Sequence, residues 1–238
     1  MKQSSRILLV SIVGILIIVV AMVIAARGMV NRIMEGGVSG ENAVELSGER
    51  DSREYALEGF ATIVTDGAWQ VDIVQADVYE VRVTADESVL SRLDLDVDGE
   101  ELRLDMPGNL PIGGLDVRAE IRMPDLDRVE TKGGADVRIR DFTLGRLEIR
   151  SEGAANVLAE NSSIDTLELD TDGASNIDFS DSRTVHADLA VEGAANVELT
   201  MAGGRLTGYL GGIGQVSYGG EVSEESVDVR GLGGVDRR

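Results

Sequence analysis

Cysteine is absent from the 238-residue chain, which excludes disulfides and thiol chemistry. Histidine occurs once, at His186, and a transition-metal centre draws on several His or Cys ligands. His186 is expected as an exposed strand residue. Basic residues are scarce: 22 Lys and Arg stand against 43 Asp and Glu, a formal net charge of −21. A surface of that sign repels nucleic acid and anionic lipid headgroups, so nucleic acid is not an expected partner. Proline is rare at 3 residues and aromatics are 3%, whereas glycine reaches 29. That balance suits β structure with tight corners better than a sandwich with an aromatic core. No Gly-x-Ser-x-Gly elbow is present. The glycine-rich stretch GGIGQVSYGG (211–220) does not open a helix with a lysine partner, so a nucleotide loop is not expected.

One long apolar run is present. Residues 7–26 read ILLVSIVGILIIVVAMVIAA, 20 residues without a charge, the length of a helix that crosses a bilayer. Lys2 and Arg6 precede it, and Arg27 and Arg32 follow, so the flanking charge is nearly balanced and the terminal amine tips it. The expectation is an uncleaved transmembrane anchor over 7–26, a cytoplasmic N-terminus over 1–6, and a C-terminal domain outside the cytoplasm, periplasmic or extracellular. The competing reading is a cleaved signal peptide, with Ala25 and Ala26 as a weak cleavage site. Residues 27–54 mix Gly, Ser and charge without a sustained apolar period and read as a flexible linker. Some 20 such residues have a root-mean-square span of roughly 25 Å.

From Tyr55 onward the pattern changes to short alternating runs. WQVDIVQ (69–75), VYEVRVTA (78–85), LDLDVDG (93–99), ELRLDM (101–106) and LDVRAEIRM (115–123) each place apolar residues at every second position, the period of a half-buried strand. Asp98-Gly99 marks a hairpin between two of them. DESVLSRL (86–93) is the one stretch suited to a helical turn. The head, 55–238, therefore reads as all-β.

Its second half repeats. EGAANV (152–157), DGASNI (172–177) and EGAANV (192–197) recur, and the aliphatic residue at the end aligns as Val137, Val157, Ile177, Val197, Val216 and Val235, with steps of 20, 20, 20, 19 and 19. A near-constant step of this size predicts a β-solenoid of about 20-residue coils, each resting on the last and burying a shared core. Ile149, Leu169 and Leu189 should face inward, and Glu148, Glu168 and Asp188 should face water. Gly133, Gly153, Gly173, Gly193, Gly212 and Gly231 share a corner column, where a residue without Cβ lets coils approach. Next to it runs a polar column, Asp136, Asn156, Asn176, Asn196 and Gln215, expected to hydrogen-bond up the stack as a structural ladder.

With the entry LEGFATIV (57–64), VDIVQADVYEVRV (71–83), ELRLDM (101–106), VRAEIRMPDLDRVETKGGADV (117–137), the EGAANV repeats and GYLGGIGQVSYGG (208–220), the stretch 55–220 resembles the bacterial auto-transporter adhesin head family, the GIN domain. The resemblance implies a right-handed β-helix, exported and tethered near its N-terminus, with adhesin-like or cell-envelope roles, and it brings no catalytic residues to carry over. Many relatives have a lipoprotein cysteine where this chain has a plain apolar helix.

Two site readings follow from the columns. Glu152, Asp172 and Glu192 occupy one position of three successive repeats. The plain reading is a solvated acidic stripe; the sharper one is calcium held by hard oxygen ligands, although the nine-residue calcium β-roll repeat is lacking. No other cofactor is expected. The leading functional expectation is a membrane-anchored, non-enzymatic envelope module that binds a polysaccharide or a protein. The alternatives are a β-helical enzyme acting on glycans, a fold-level analogy only, and a passive scaffold with self-association through the end coil near Val235.

Overall fold

In a computed structural model, residues 46–107 and 116–238 are described. The expected N-terminus (1–6), the anchor (7–26) and most of the linker (27–54) lie outside the described residues. Among those described, no helix is long and apolar enough to cross a membrane.

The body is all-β. Its strands are β1 (Arg50–Tyr55), β2 (Thr62–Gln75), β3 (Glu80–Asp86), β4 (Asp94–Asp98), β5 (Glu101–Asp105), β6 (Arg118–Met123), β7 (Arg128–Arg140), β8 (Thr143–Ala202), β9 (Arg205–Leu210), β10 (Ile213–Glu221), β11 (Glu224–Val229) and β12 (Leu232–Arg237). One helical turn, α1 (Glu87–Leu90), falls inside DESVLSRL, with the carboxylate of Asp86 accepting from the Ser88 N–H as its N-cap. The Asp98-Gly99 hairpin is present: β4 and β5 pair antiparallel, with Asp98 opposite Glu101.

Pairing is parallel and in register through the repeats. Val71 pairs with Val137, and Val137 with Val157. Val197 pairs with Val216, and Val216 with Val235. Between these, β8 runs back along itself. A Cβ built on Gly173 would lie 2.2 Å from the carbonyl oxygen of Gly153, and one on Gly193 2.2 Å from that of Gly173. The corner column is thus a column of touching backbones. Gly133, Gly153, Gly173 and Gly193 also hold positive φ, between +91° and +133°, which side chains avoid. A second corner lies at Asp141 (φ 64°) and Asn161 (φ 52°), residue types that tolerate the left-handed region. There the Phe142 N–H donates to Ser162 Oγ and the Ser162 N–H to Ser182 Oγ, so side chains satisfy backbone donors where the chain bends.

The inward columns are continuous. Val157, Ile177, Val197 and Val216 are fully buried, beside Ile139, Ala159, Phe179 and Leu199. Ile149, Leu169 and Leu189 are buried as expected. Each of the valine, leucine, isoleucine and phenylalanine side chains contributes about 1.5–3 kcal/mol by leaving water.

Three expectations need correction. Glu148 does not face water: it is 6% exposed, because Arg128, Arg146 and Arg150 close over it, with nearest approaches of 3.1, 3.7 and 2.6 Å. His186 is half-buried, its Nδ1 accepting the Arg205 backbone N–H at 3.1 Å. The end of the expected linker, residues 50–54, belongs to β1, which pairs antiparallel with β3. All of Arg50–Glu54 is exposed on both faces, so no apolar alternation marks that strand in the sequence. Its start is pinned by Asp86, whose carboxylate accepts from the N–H groups of Ser47 and Gly48 at 3.1 and 2.8 Å.

Candidate functional site: a polar groove at the glycine corner

The polar column is only partly a ladder. Asn176 Nδ2 donates to Asn156 Oδ1 at 2.9 Å, and Asn196 Nδ2 to Asn176 Oδ1 at 3.3 Å. Gln215 stays in register with Asn196, but its amide donates to Asp236 at 2.8 Å instead of up the row. At the other end the row continues one repeat further than expected, since Gln70 pairs with Asp136 across β2 and β7. DGAWQV (66–71) is a diverged copy of EGAANV, with Gly67 stacked on Gly133.

β2 has two partners on its outer side. β5 pairs with Thr62–Asp66 and β6 with Gln70–Gln75. Between them, Gly67, Ala68 and Trp69 have no strand partner on that side among the described residues. The Trp69 ring turns inward, 2% exposed, with its Nε1–H donating to the Asp66 carbonyl at 3.1 Å. Two adjoining recesses, of about 310 and 450 Å³, lie along this corner and share Gln70, Asp136 and Asn156 as a common wall. The first adds Asp72, Arg118 and Arg138. The second has a floor of small residues: Ala68, Gly134, Ala154 and Ala174.

Much of this wall has hydrogen-bonding capacity to spare. Gln70 Oε1 accepts from Arg118 at 3.1 Å, and among the described residues its amide N–H groups have no partner. Asn156 spends its oxygen on Asn176, and among the described residues its own N–H groups have no partner. The Asp136 carboxylate has no hydrogen-bond partner among the described residues. Asp72, by contrast, is held by Arg140 through both carboxylate oxygens, at 2.7 Å each. The bidentate guanidinium clamp occupies both of its oxygens and fixes its position. Among the described residues, Asp136 is the one unengaged carboxylate lining the groove.

The acidic stripe looks different in place. Glu152, Asp172 and Glu192 are all exposed. Glu152 lies opposite Lys132, whose ammonium is held above its ordinary pKa by its hydrogen bond to Glu130, with Glu152 and Asp66 adding to the effect. Glu192 accepts from the Tyr209 hydroxyl at 3.0 Å, which raises that tyrosine's pKa. Among the described residues no three carboxylate or histidine side chains gather as ligands around a common point.

These features define an all-β repeat body with an open polar recess. The chain belongs to the family described as "Putative auto-transporter adhesin, head GIN domain", which matches residues 59–238. Among solved structures, it is similar to a putative adhesin from Bacteroides fragilis, with 18% identity, TM-score 0.69, and coverage of 83% of this chain and 100% of that one. It is also similar to a putative adhesin from Parabacteroides merdae (15% identity, TM-score 0.52, 83% and 99% coverage). A structure described as a putative lipid binding protein from Parabacteroides distasonis matches at 16% identity and TM-score 0.53, covering 83% of this chain and 100% of that one. At such identities the likeness is one of fold. No curated protein matches the sequence.

The repeat spacing puts Asp136 and Asn156 in one column, expected there as a structural ladder, and the structure brings both to the recess. The spacing gives no sign of Gln70, Arg118 or Arg138. The signal for Gln70 was present in DGAWQV, displaced by 66 residues from the next copy because β3 to β6 intervene.

Proposed function

We propose that the chain is a non-enzymatic, membrane-anchored envelope module. In this reading residues 55–238 form a right-handed β-helical head outside the cytoplasm, residues 27–54 are largely its tether, and residues 7–26 its anchor. The parallel, in-register pairing of repeats supports the solenoid, and the uncharged run 7–26 supports the anchor. The observation that carries binding over catalysis is the corner groove, where free amides and one free carboxylate line a recess whose other carboxylate is locked by Arg140. Membership in the adhesin head family supports the same direction. A rigid body that holds polar side chains in a fixed row suits recognition of an extended partner, an envelope polysaccharide or protein. The test is retention of envelope material by the full chain in detergent micelles. Capture of polymer or protein over a blank matrix is expected; a chain that retains nothing, or that cleaves polysaccharide, contradicts the reading.

A further inference from the structure

We propose that the corner groove binds an uncharged, hydroxyl-rich polysaccharide, laid along the stack across the repeats that carry Gln70, Asp136 and Asn156. The inference rests on the binding-module reading and narrows it to one site and one ligand class.

Charge decides against ions. The chain has a formal net charge of −21, yet around the first recess Arg118, Arg138 and Arg140 face Asp72, Asp136 and Glu160, three of each sign. A locally balanced recess in an acidic body attracts neither polyanion nor cation strongly. Hydrogen bonding points to hydroxyls. Gln70 and Asn156 present free amide donors on either side of the acceptor-only Asp136 carboxylate, in three successive strands. Hydroxyls both donate and accept, so a row of donor, acceptor and donor suits a run of them. Neighbouring strands are ~4.8 Å apart, close to the length of one pyranose unit, so one sugar per repeat keeps the ligand in phase with the row. The floor suits the rest of a sugar. Ala68, Gly134, Ala154 and Ala174 make a flat strip of small groups, on which the C–H face of a ring can lie. Trp69 and Val117 also line this recess, but each is only 2% exposed, so little bulky apolar surface is offered to a ligand.

Isothermal titration of the full chain in nanodiscs tests this, with cellohexaose, maltohexaose and chitohexaose as neutral probes and hexagalacturonate as the anionic one. At least one neutral hexamer should bind, and more tightly than the anionic one. The double variant Asp136→Ala with Asn156→Ala should weaken binding at least tenfold with its cooperative unfolding retained. Ala154→Leu, which raises the floor but leaves the polar row intact, should do the same. Glu198→Ala, on the same face beyond the groove, should bind as the parent does. Failure of all three neutral hexamers, tighter binding of the anionic one, or unaltered binding by both groove variants overturns the proposal. If those variants still retain envelope material as the parent does, the binding-module reading stands and this site does not.

Discussion

Residues 46–127 and residues 128–238 solve the same problem differently. The second region pairs each strand in parallel with its copy 19 or 20 residues on, so one set of inward residues serves every repeat. The first region also contributes to the stack, through β2, but interrupts it with a segment that pairs antiparallel: β1 with β3, β3 with β6, and β4 with β5. Regular repetition yields a uniform surface, and interruption yields a singular one. The groove lies where they meet, built from β2 and β6 on one side and β7 and β8 on the other.

The largest difference between the regions should appear at glycine. Gly173→Ala places a Cβ 2.2 Å from the Gly153 carbonyl oxygen at φ +133°, whereas Gly99→Ala meets nothing within 4 Å and carries only the strain of φ +64°. Chemical denaturation should show a loss of about 3 kcal/mol or more for the first and roughly 1 kcal/mol for the second. Equal losses would mean the repeats do not press backbone against backbone.

Carboxylates offer the next contrast. Glu148, 8% exposed in its side chain, is surrounded by three arginines, and its removal leaves their charges facing one another. Glu80, 39% exposed between Arg82 and Arg122, is a surface ion pair of the interrupted region. Glu148→Ala should cost about 2 kcal/mol and Glu80→Ala under about 1 kcal/mol, read from urea midpoints at matched salt.

Smaller still is the amide row. Asn176→Ala removes two side-chain hydrogen bonds at an exposed position and should cost about 1 kcal/mol. A neutral result would show that solvent replaces the row without loss.

The subtlest effect is a pH dependence local to β1. The Asp86 carboxyl is held well below the usual range, chiefly by the Ser88 hydroxyl, with the N–H groups of Ser47 and Gly48 also lowering it against an opposing effect of burial. A depressed folded pKa stabilises above the unfolded value, near ~3.9, and the contribution fades as pH falls toward the folded one. The protection of β1 amides, taken relative to their intrinsic exchange rates at each pH, should therefore fall below about pH 4. Asp86→Asn should remove that dependence while leaving β10 and β12 untouched.

The contrast also explains what the sequence disclosed. Val157, Ile177 and Val197 announced their stacking because nothing interrupts the step between them. Val71 belongs to the same column, but the intervening strands hid it from a search for constant spacing. β1 left no pattern because an edge strand exposed on both faces has no buried side to encode. Glu148 was misplaced because strand alternation tells which way a side chain points, not whether arginines from adjacent strands will cover it. The groove was illegible for a related reason: its residues come from four strands, and Arg118 and Asn156 share no motif. What made it visible was the geometry of the interruption.

Crosslinking between repeats gives the most direct check, and the absence of cysteine makes it clean. Ala154 and Ala174 are exposed at equivalent positions of consecutive repeats, and Ala194 lies one repeat further. Paired cysteines bridge when their Cα atoms lie ~4.4–6.8 Å apart, which adjacent strands satisfy and strands two apart do not. Ala154→Cys with Ala174→Cys should form an intramolecular disulfide readily under mild oxidation, whereas Ala154→Cys with Ala194→Cys should remain reduced. Failure of the first pair, or equal bridging by both, would contradict the stacking on which the groove depends.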